Sequence, residues 1–286
     1  MQLVRHVRCI GLIGLALLLN TSVVFSQWIN EPTHAFGTLP FLNTERIKQA
    51  QKNELYGTIY TKLPGEMIQK TNGFVKYQFD SLGQTTSMLS YRPYLAFIDS
   101  ISYHFKYSNA RLTEIKAMRK MDYSIQLFRF LKDTLRNSEE RIGLLKTGEE
   151  IQTNSLSYVD QLIGNELYTT VSYLGGNPYK YIRKNFDSSL HLTCEESIDY
   201  LSQDTITTWY TYDENSRLIN TRTKVDERVQ EITIRYQSNK EVEAIKYYSN
   251  GELKNEIQII YLDGDRALSS VILYDHRTKL MEIIRF

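Results

Sequence analysis

The chain has 286 residues, with 34 Lys and Arg against 33 Asp and Glu, a formal net charge of +1. Charge this balanced lacks the clustered basic face that nucleic-acid binding requires. Tyrosine is abundant, 21 residues against 11 phenylalanines, and tyrosine favours strands, where it buries a ring and keeps its hydroxyl wet.

The N-terminus reads as a secretory signal peptide over residues 1–26. Arg5 and Arg8 form a positive start, Cys9 to Leu19 is apolar, and Val24 and Ser26 sit at −3 and −1 of a cut before Gln27. The apolar run is too short for a spanning helix, which needs roughly 20 residues. Cys9 stands at the start of that run and not at its end, so it is not placed for lipidation. A chain starting at Gln27 has 32 basic and 33 acidic side chains, a net of −1, and a single cysteine, Cys194. Export permits disulfides, but one thiol forms no internal bridge. Stability must then come from core burial and strand pairing. The expected location is periplasmic, cell-surface or extracellular. No later run is long enough to span a membrane as a helix.

Residues 27–53 form an irregular lead-in with one short helix. Pro32 and Pro40 interrupt the first part. Thr44 to Lys52 is the helix candidate, capped by Asn43 or Thr44. Its apolar positions are only Ile47 and Ala50, so it is marginal alone.

Residues 54–286 are expected to be an antiparallel β-repeat domain. Tyr56 to Leu63 and Gly73 to Phe79 read as strands, split by a turn at Pro64 and Gly65. An aromatic residue then closes strand after strand, followed by a polar turn. Phe79-Asp80, Tyr107-Ser108, Phe186-Asp187, Tyr212-Asp213, Tyr236-Gln237 and Tyr261-Leu262 mark the copies. The steps are 28, 79, 26, 24 and 25 residues, and 79 is about three steps. Phe130 and Tyr158 fall where two degenerate copies belong. A repeat of about 25 residues fits a two-stranded hairpin with its connections. Tyr248 and Tyr274 mark half-steps.

Alternation supports strands. Ile232, Ile234 and Tyr236 share one face, as do Ile257, Ile259 and Tyr261. Ile260 and Leu262 put apolar groups on the opposite face as well. The C-terminal part is therefore expected to curl on itself, form a barrel, or pack against another layer. The fold class is all-β: an antiparallel meander of hairpin repeats, curled or barrel-like, after one short N-terminal helix.

Tyr212 to Leu218 resembles the core of YD (RHS-type) repeats, aromatic-Asp-x-x-Gly-Arg-Leu, with Ser216 in place of the glycine. Tyr247 to Lys254, with Asn250-Gly251 at its centre, resembles a MORN-like repeat. The resemblance implies architecture, long antiparallel β-structure that often serves as a shell or scaffold. It implies no catalytic residue.

Chemistry-bearing clusters are few. His191, Cys194, Glu195 and Glu196 lie close in sequence, but in a strand residues 191 and 194 face opposite ways, and zinc needs three or four convergent ligands. Asp263-Gly264-Asp265 lacks the remaining ligands of a calcium loop and reads as a hairpin turn. Gly175-Gly176-Asn177-Pro178 lacks the Lys-Ser/Thr of a phosphate loop. No catalytic residue, metal site or cofactor is assigned. Trp209, Tyr210, Tyr247 and Tyr248 are the candidate ligand-binding residues, although period two cannot place all four on one face. The sequence reads as an exported, non-catalytic binding or scaffold protein of the envelope or surface. Its partner would be an envelope protein, a peptide or a glycan. The competing readings are an outer-membrane β-barrel and an exported hydrolase. Against the barrel, Glu282 shares a face with Leu280, Ile284 and Phe286, where lipid would lie.

Overall fold

A computed structural model describes residues 44–92, 99–108, 111–119, 124–133, 136–144, 147, 149–173, 176–237, 242–262 and 268–286. The expected signal peptide, most of the lead-in and the Asp263-Gly264-Asp265 turn lie outside them. Among the described residues one helix, α1 (Thr44–Gln49), precedes the sheet. It stops short of Lys52, and Gln51 takes a positive φ of 50°.

Among the described residues eighteen strands follow in a single sheet. They are β1 (Glu54–Lys62), β2 (Gln69–Phe79), β3 (Thr85–Arg92), β4 (Asp99–Ser108), β5 (Arg111–Arg119), β6 (Ser124–Asp133), β7 (Arg136–Leu144), β8 (Glu150–Ile163) and β9 (Glu166–Tyr173). Then come β10 (Pro178–Phe186), β11 (Leu192–Asp199), β12 (Thr205–Tyr212), β13 (Leu218–Val225), β14 (Arg228–Tyr236), β15 (Val242–Ser249), β16 (Glu252–Tyr261), β17 (Leu268–Asp275) and β18 (Met281–Arg285). Each pairs antiparallel with the next. The ends of the meander also meet, because β18 pairs with β1 from Thr58↔Arg285 to Lys62↔Met281. β1 therefore has a partner on both sides.

The aromatic repeat has a structural counterpart. At all six anchors the register with the following strand shifts: beside Phe79, Tyr107, Phe186, Tyr212, Tyr236 and Tyr261. Each shift is a bulge-like irregularity at the strand end, which adds twist and bend. Where the anchor is a tyrosine, its hydroxyl donates to the first carbonyl of the preceding strand. Tyr107 reaches Thr85 O at 3.0 Å, Tyr212 reaches Leu192 O at 3.0 Å, Tyr236 reaches Leu218 O at 2.9 Å and Tyr261 reaches Val242 O at 3.2 Å.

The aspartate after the anchor builds the turn. Asp80 Oδ1 accepts from the backbone N–H groups of Leu82 and Gln84, both at 2.9 Å. Asp187 does the same for Ser189 and His191, and Asp213 for Asn215 and Arg217. The third residue after each aspartate is left-handed: Gly83 at φ 78°, Leu190 at 65° and Ser216 at 62°. Glycine is the residue that takes this conformation without steric cost. The Asn250-Gly251 hairpin turn is also left-handed at both positions, φ 51° and 80°, as a type I′ turn requires.

Two expected copies differ. Phe130 lies inside β6, opposite Glu139, and Tyr158 lies inside β8, between Asn137 and Val171. Neither ends a strand. β6 and β8, of ten and fourteen residues, carry the phase past the 25-residue step.

The two faces of the sheet have opposite character. Ile259, Val271, Ile284 and Ile59 pair in one row across β16, β17, β18 and β1, and none is more than 6% exposed. Val75, Tyr77 and Met88 extend the same face and are equally buried. Gly57 makes room there, since a Cβ would lie 2.5 Å from Ile284 Cγ2. On this face Arg92 of β3 reaches Glu282 of β18, with Nη2–Oε1 at 3.0 Å and Nε–Oε2 at 3.1 Å. Two strands separate them in the ladder, roughly 14 Å on a flat sheet. The ion pair is possible because the sheet bends sharply around β1 and β2, making this face the concave inside.

The opposite face carries Lys76, Lys106, Arg183, Arg222 and Arg235, charged residues alternating with the inward set. Ile260 and Leu262 also lie outward and are 44% and 52% exposed. The sheet thus curls on itself as expected, with one face inward; of the outward apolar groups Ile260 and Leu262 meet solvent, whereas Ile283 is only 6% exposed. Glu282 faces inward too, so it is not on a lipid-facing side.

Candidate functional site

Register sorts the four candidate aromatics into two rows. Trp209 of β12 pairs with Arg222 of β13, Arg222 with Glu231 of β14, and Glu231 with Tyr248 of β15. One residue along, Tyr210, Thr221, Ile232 and Tyr247 pair in the same order. Because side chains alternate across a strand, the first row points out and the second points in.

Exposure agrees. Trp209 is 41% exposed and Tyr210 only 6%. Tyr248 and Tyr247 are both half-buried, and burial pushes the Tyr247 phenol up. Stacking area for a partner therefore belongs to Trp209 and Tyr248, about 14 Å apart across three strand spacings. Tyr210 and Tyr247 belong to the interior.

Between the two outer aromatics stand Arg222, which is exposed, and Glu231, which is half-buried. Asn220 Nδ2 donates to Glu231 Oε1 at 2.6 Å and so orients that carboxylate. Neither residue stands out by type or motif in the sequence. The signal was present in the turn: two residues, Asp226-Glu227, join β13 to β14 with Val225 opposite Arg228. Counting back from such a turn puts Arg222 opposite Glu231.

The His191–Glu196 stretch disperses, as the strand period implies. His191 belongs to the turn before β11. Its Nδ1 lies 3.2 Å from Asp187 Oδ2 and its ring stacks on Tyr212 at 4.7 Å. The next repeat repeats this arrangement with an arginine: Arg217 Nε donates to Asp213 Oδ2 at 2.7 Å, and its guanidinium lies 4.7 Å from the Tyr236 ring centre. Both aspartates are held below the usual carboxylate range, Asp187 chiefly by the His191 backbone N–H and Asp213 chiefly by the Arg217 side chain. These are structural clasps between turn and neighbouring strand.

Cys194 sits opposite Trp209 and Asn185. Burial pushes its thiol up, and Glu196 adds to the effect, which leaves the sulfur in its less reactive protonated form. Glu195 pairs with Lys184 at 3.4 Å and Glu196 with Arg183 at 3.2 Å. Among the described residues no group of three His, Cys, Asp or Glu could hold a metal ion.

No family model matches the sequence, and no curated protein does. Among solved structures the chain is similar to a porin-like protein from Bacteroides vulgatus, at 13% identity and TM-score 0.33, over 80% of this chain and 95% of that one. A porin-like protein from Bacteroides uniformis gives 9% identity and TM-score 0.38 over the same shares. A LolA superfamily protein from Nitrosomonas europaea gives 12% and 0.23, over 85% of this chain and 88% of that one. Likeness this low bears on neither function nor partner. Among the described residues no helix is long and apolar enough to cross a membrane.

Proposed function

We propose that this chain is an exported, non-catalytic binding or scaffold protein of the cell envelope or surface. The outer row Trp209–Arg222–Glu231–Tyr248 carries the reading. It sets an exposed indole and an exposed guanidinium side by side in mid-sheet, where neither serves the core. The described aspartates of the repeats serve turns instead of converging on a reaction centre, which weighs against a hydrolase. The resemblance of the repeats to YD-type sequences supports a scaffold role for the remainder of the sheet.

The outer-membrane barrel is the weaker reading. Such barrels are apolar outside and polar within, whereas the described residues put Ile59, Val75, Val171 and Ile284 inside and Lys76, Lys106, Arg222 and Arg235 outside.

The test is capture of envelope components from a detergent-free extract. Wild type should retain a partner that Trp209→Ala/Tyr248→Ala loses, with unchanged circular dichroism. Equal capture by both proteins would remove the row from the function. Hydrolysis of an envelope polymer, lost on replacing one carboxylate, would replace this reading with an enzyme.

A further inference from the structure

We infer that the outer face of β12–β15 binds an acidic carbohydrate chain, whose sugar rings stack on Trp209 and whose carboxylates pair with Arg222. The inference rests on the binding-protein reading above and names its ligand class.

Two unused groups motivate it. Trp209 has no hydrogen-bond or ring partner among the described residues, yet 41% of it is exposed in the middle of a strand. Arg222, its cross-strand neighbour, is exposed and has no ion-pair or hydrogen-bond partner among the described residues. A flat aromatic face beside a guanidinium offers stacking together with a two-pronged donor for a carboxylate.

The charge on this face sets the sign of the ligand. Arg235 is neutralised by Glu243 at 2.9 Å. Glu231 accepts from Asn220, a neutral amide, and keeps its negative charge, which offsets one of the three cations on this side. Arg222, Lys224 and Lys246 point to the same side without an acidic partner among the described residues. The free charge is therefore positive but sparse, which suits widely spaced carboxylates better than the dense phosphates of nucleic acid. A peptide partner commonly adds a strand to an open sheet edge. β12 to β15 offer none, since each is paired on both sides. A ligand lying flat across the strands must bind by side chains alone, and ring stacking with hydroxyl recognition fits that constraint. Asn220, Thr207 and Thr233 supply hydrogen-bonding groups beside the row.

The experiment is affinity electrophoresis of the purified full chain in native gels containing polygalacturonate, its methyl ester, neutral dextran or polyglutamate. Polygalacturonate should retard the wild type most. Trp209→Ala should weaken that binding about tenfold or more, equivalent to 1.4 kcal/mol. Arg222→Gln should bind polygalacturonate no better than the methyl ester. Tyr56→Ala, which removes another exposed aromatic on β1, should behave as wild type. All three sites are solvent-facing, and circular dichroism verifies folding. Retardation that survives both row substitutions, preference for polyglutamate, or indifference to esterification would each overturn the inference. If the envelope capture described above still depends on Trp209 and Tyr248 while polygalacturonate is not bound, only the ligand class falls. If both fail, the binding reading falls with it.

Discussion

Ser216 occupies a left-handed position that its sister repeat gives to Gly83, and Leu190 occupies a third. A residue with a Cβ in that conformation costs roughly 1–2 kcal/mol relative to the right-handed one, which glycine avoids. Glycine also loses more chain entropy on folding, so the net gain is smaller. Ser216→Gly is expected to stabilise the protein by about 0.5–1 kcal/mol, read as a higher urea midpoint with unchanged slope. A lower midpoint would mean that the Ser216 side chain makes a contribution that the turn geometry does not reveal. The positive φ of Gly251 was legible from Asn250-Gly251 alone, since few pairs accept a type I′ turn. The strain at Leu190 was not, because nothing in its chemistry announces it.

At the scale of the element, the anchor tyrosines join a strand end, a bulge and the neighbouring strand's first carbonyl. Tyr107 and Tyr212 have phenols pushed up to about 12, mainly by burial, with the charges of Asp80 and Asp187 adding to it. The unfolded chain releases these protons near the ordinary 10.0. Between pH 10 and 12 the native state thus holds more protons than the unfolded one, and stability falls as pH rises through that window. Alkaline titration should show these two tyrosines ionising only as circular dichroism is lost. Tyr107→Phe/Tyr212→Phe should flatten the pH dependence there. Phenolate near pH 10 in the folded wild type that the Tyr107→Phe/Tyr212→Phe variant lacks would contradict their placement. The repeat itself was readable from sequence because aromatic anchors and turn aspartates recur at a near-constant step. It failed at Phe130 and Tyr158 because spacing counts residues and does not see strand length. The outer row was only half readable. Trp209 and Tyr248 show themselves by type, whereas their association with Arg222 and Glu231 depends on register across three ladders.

For the molecule as a whole, the meander is held by its inner face and by the seam where β18 meets β1. The Arg92–Glu282 pair ties β3 to β18 on the inside, and both side chains are largely buried, 15% and 12% exposed. Glu282→Ala removes a carboxylate that Arg92 holds through two nitrogens in a low-dielectric setting. The expected cost is about 3 kcal/mol, seen as a lower melting midpoint. Glu282→Ala/Arg92→Leu should recover part of it, because a buried charge that has lost one of its partners costs more than an apolar pair. No loss in the single variant would place the pair in solvent. The all-β class was evident from alternation and turns. The hand of the curl was not, since the sequence distinguishes two faces without saying which is inside. Glu282 illustrates the difficulty: one charge among apolar neighbours fits an ion pair indoors as readily as a defect outdoors.

The seam has a consequence for how the chain could be rewired. Phe286 follows directly on β18, and its ring lies where a Cβ on Gly57 would be, 2.8 Å away. The end of the last strand is thus beside the beginning of the first. A short flexible peptide could join Phe286 to Glu54, and a new start could be cut at Asn250-Gly251, an exposed hairpin tip of the kind that tolerates new termini. Such a circular permutant of residues 54–286 should refold with the parental circular dichroism. Its failure, with the same segment folding in its original order, would show that β1 and β18 do not meet as neighbours.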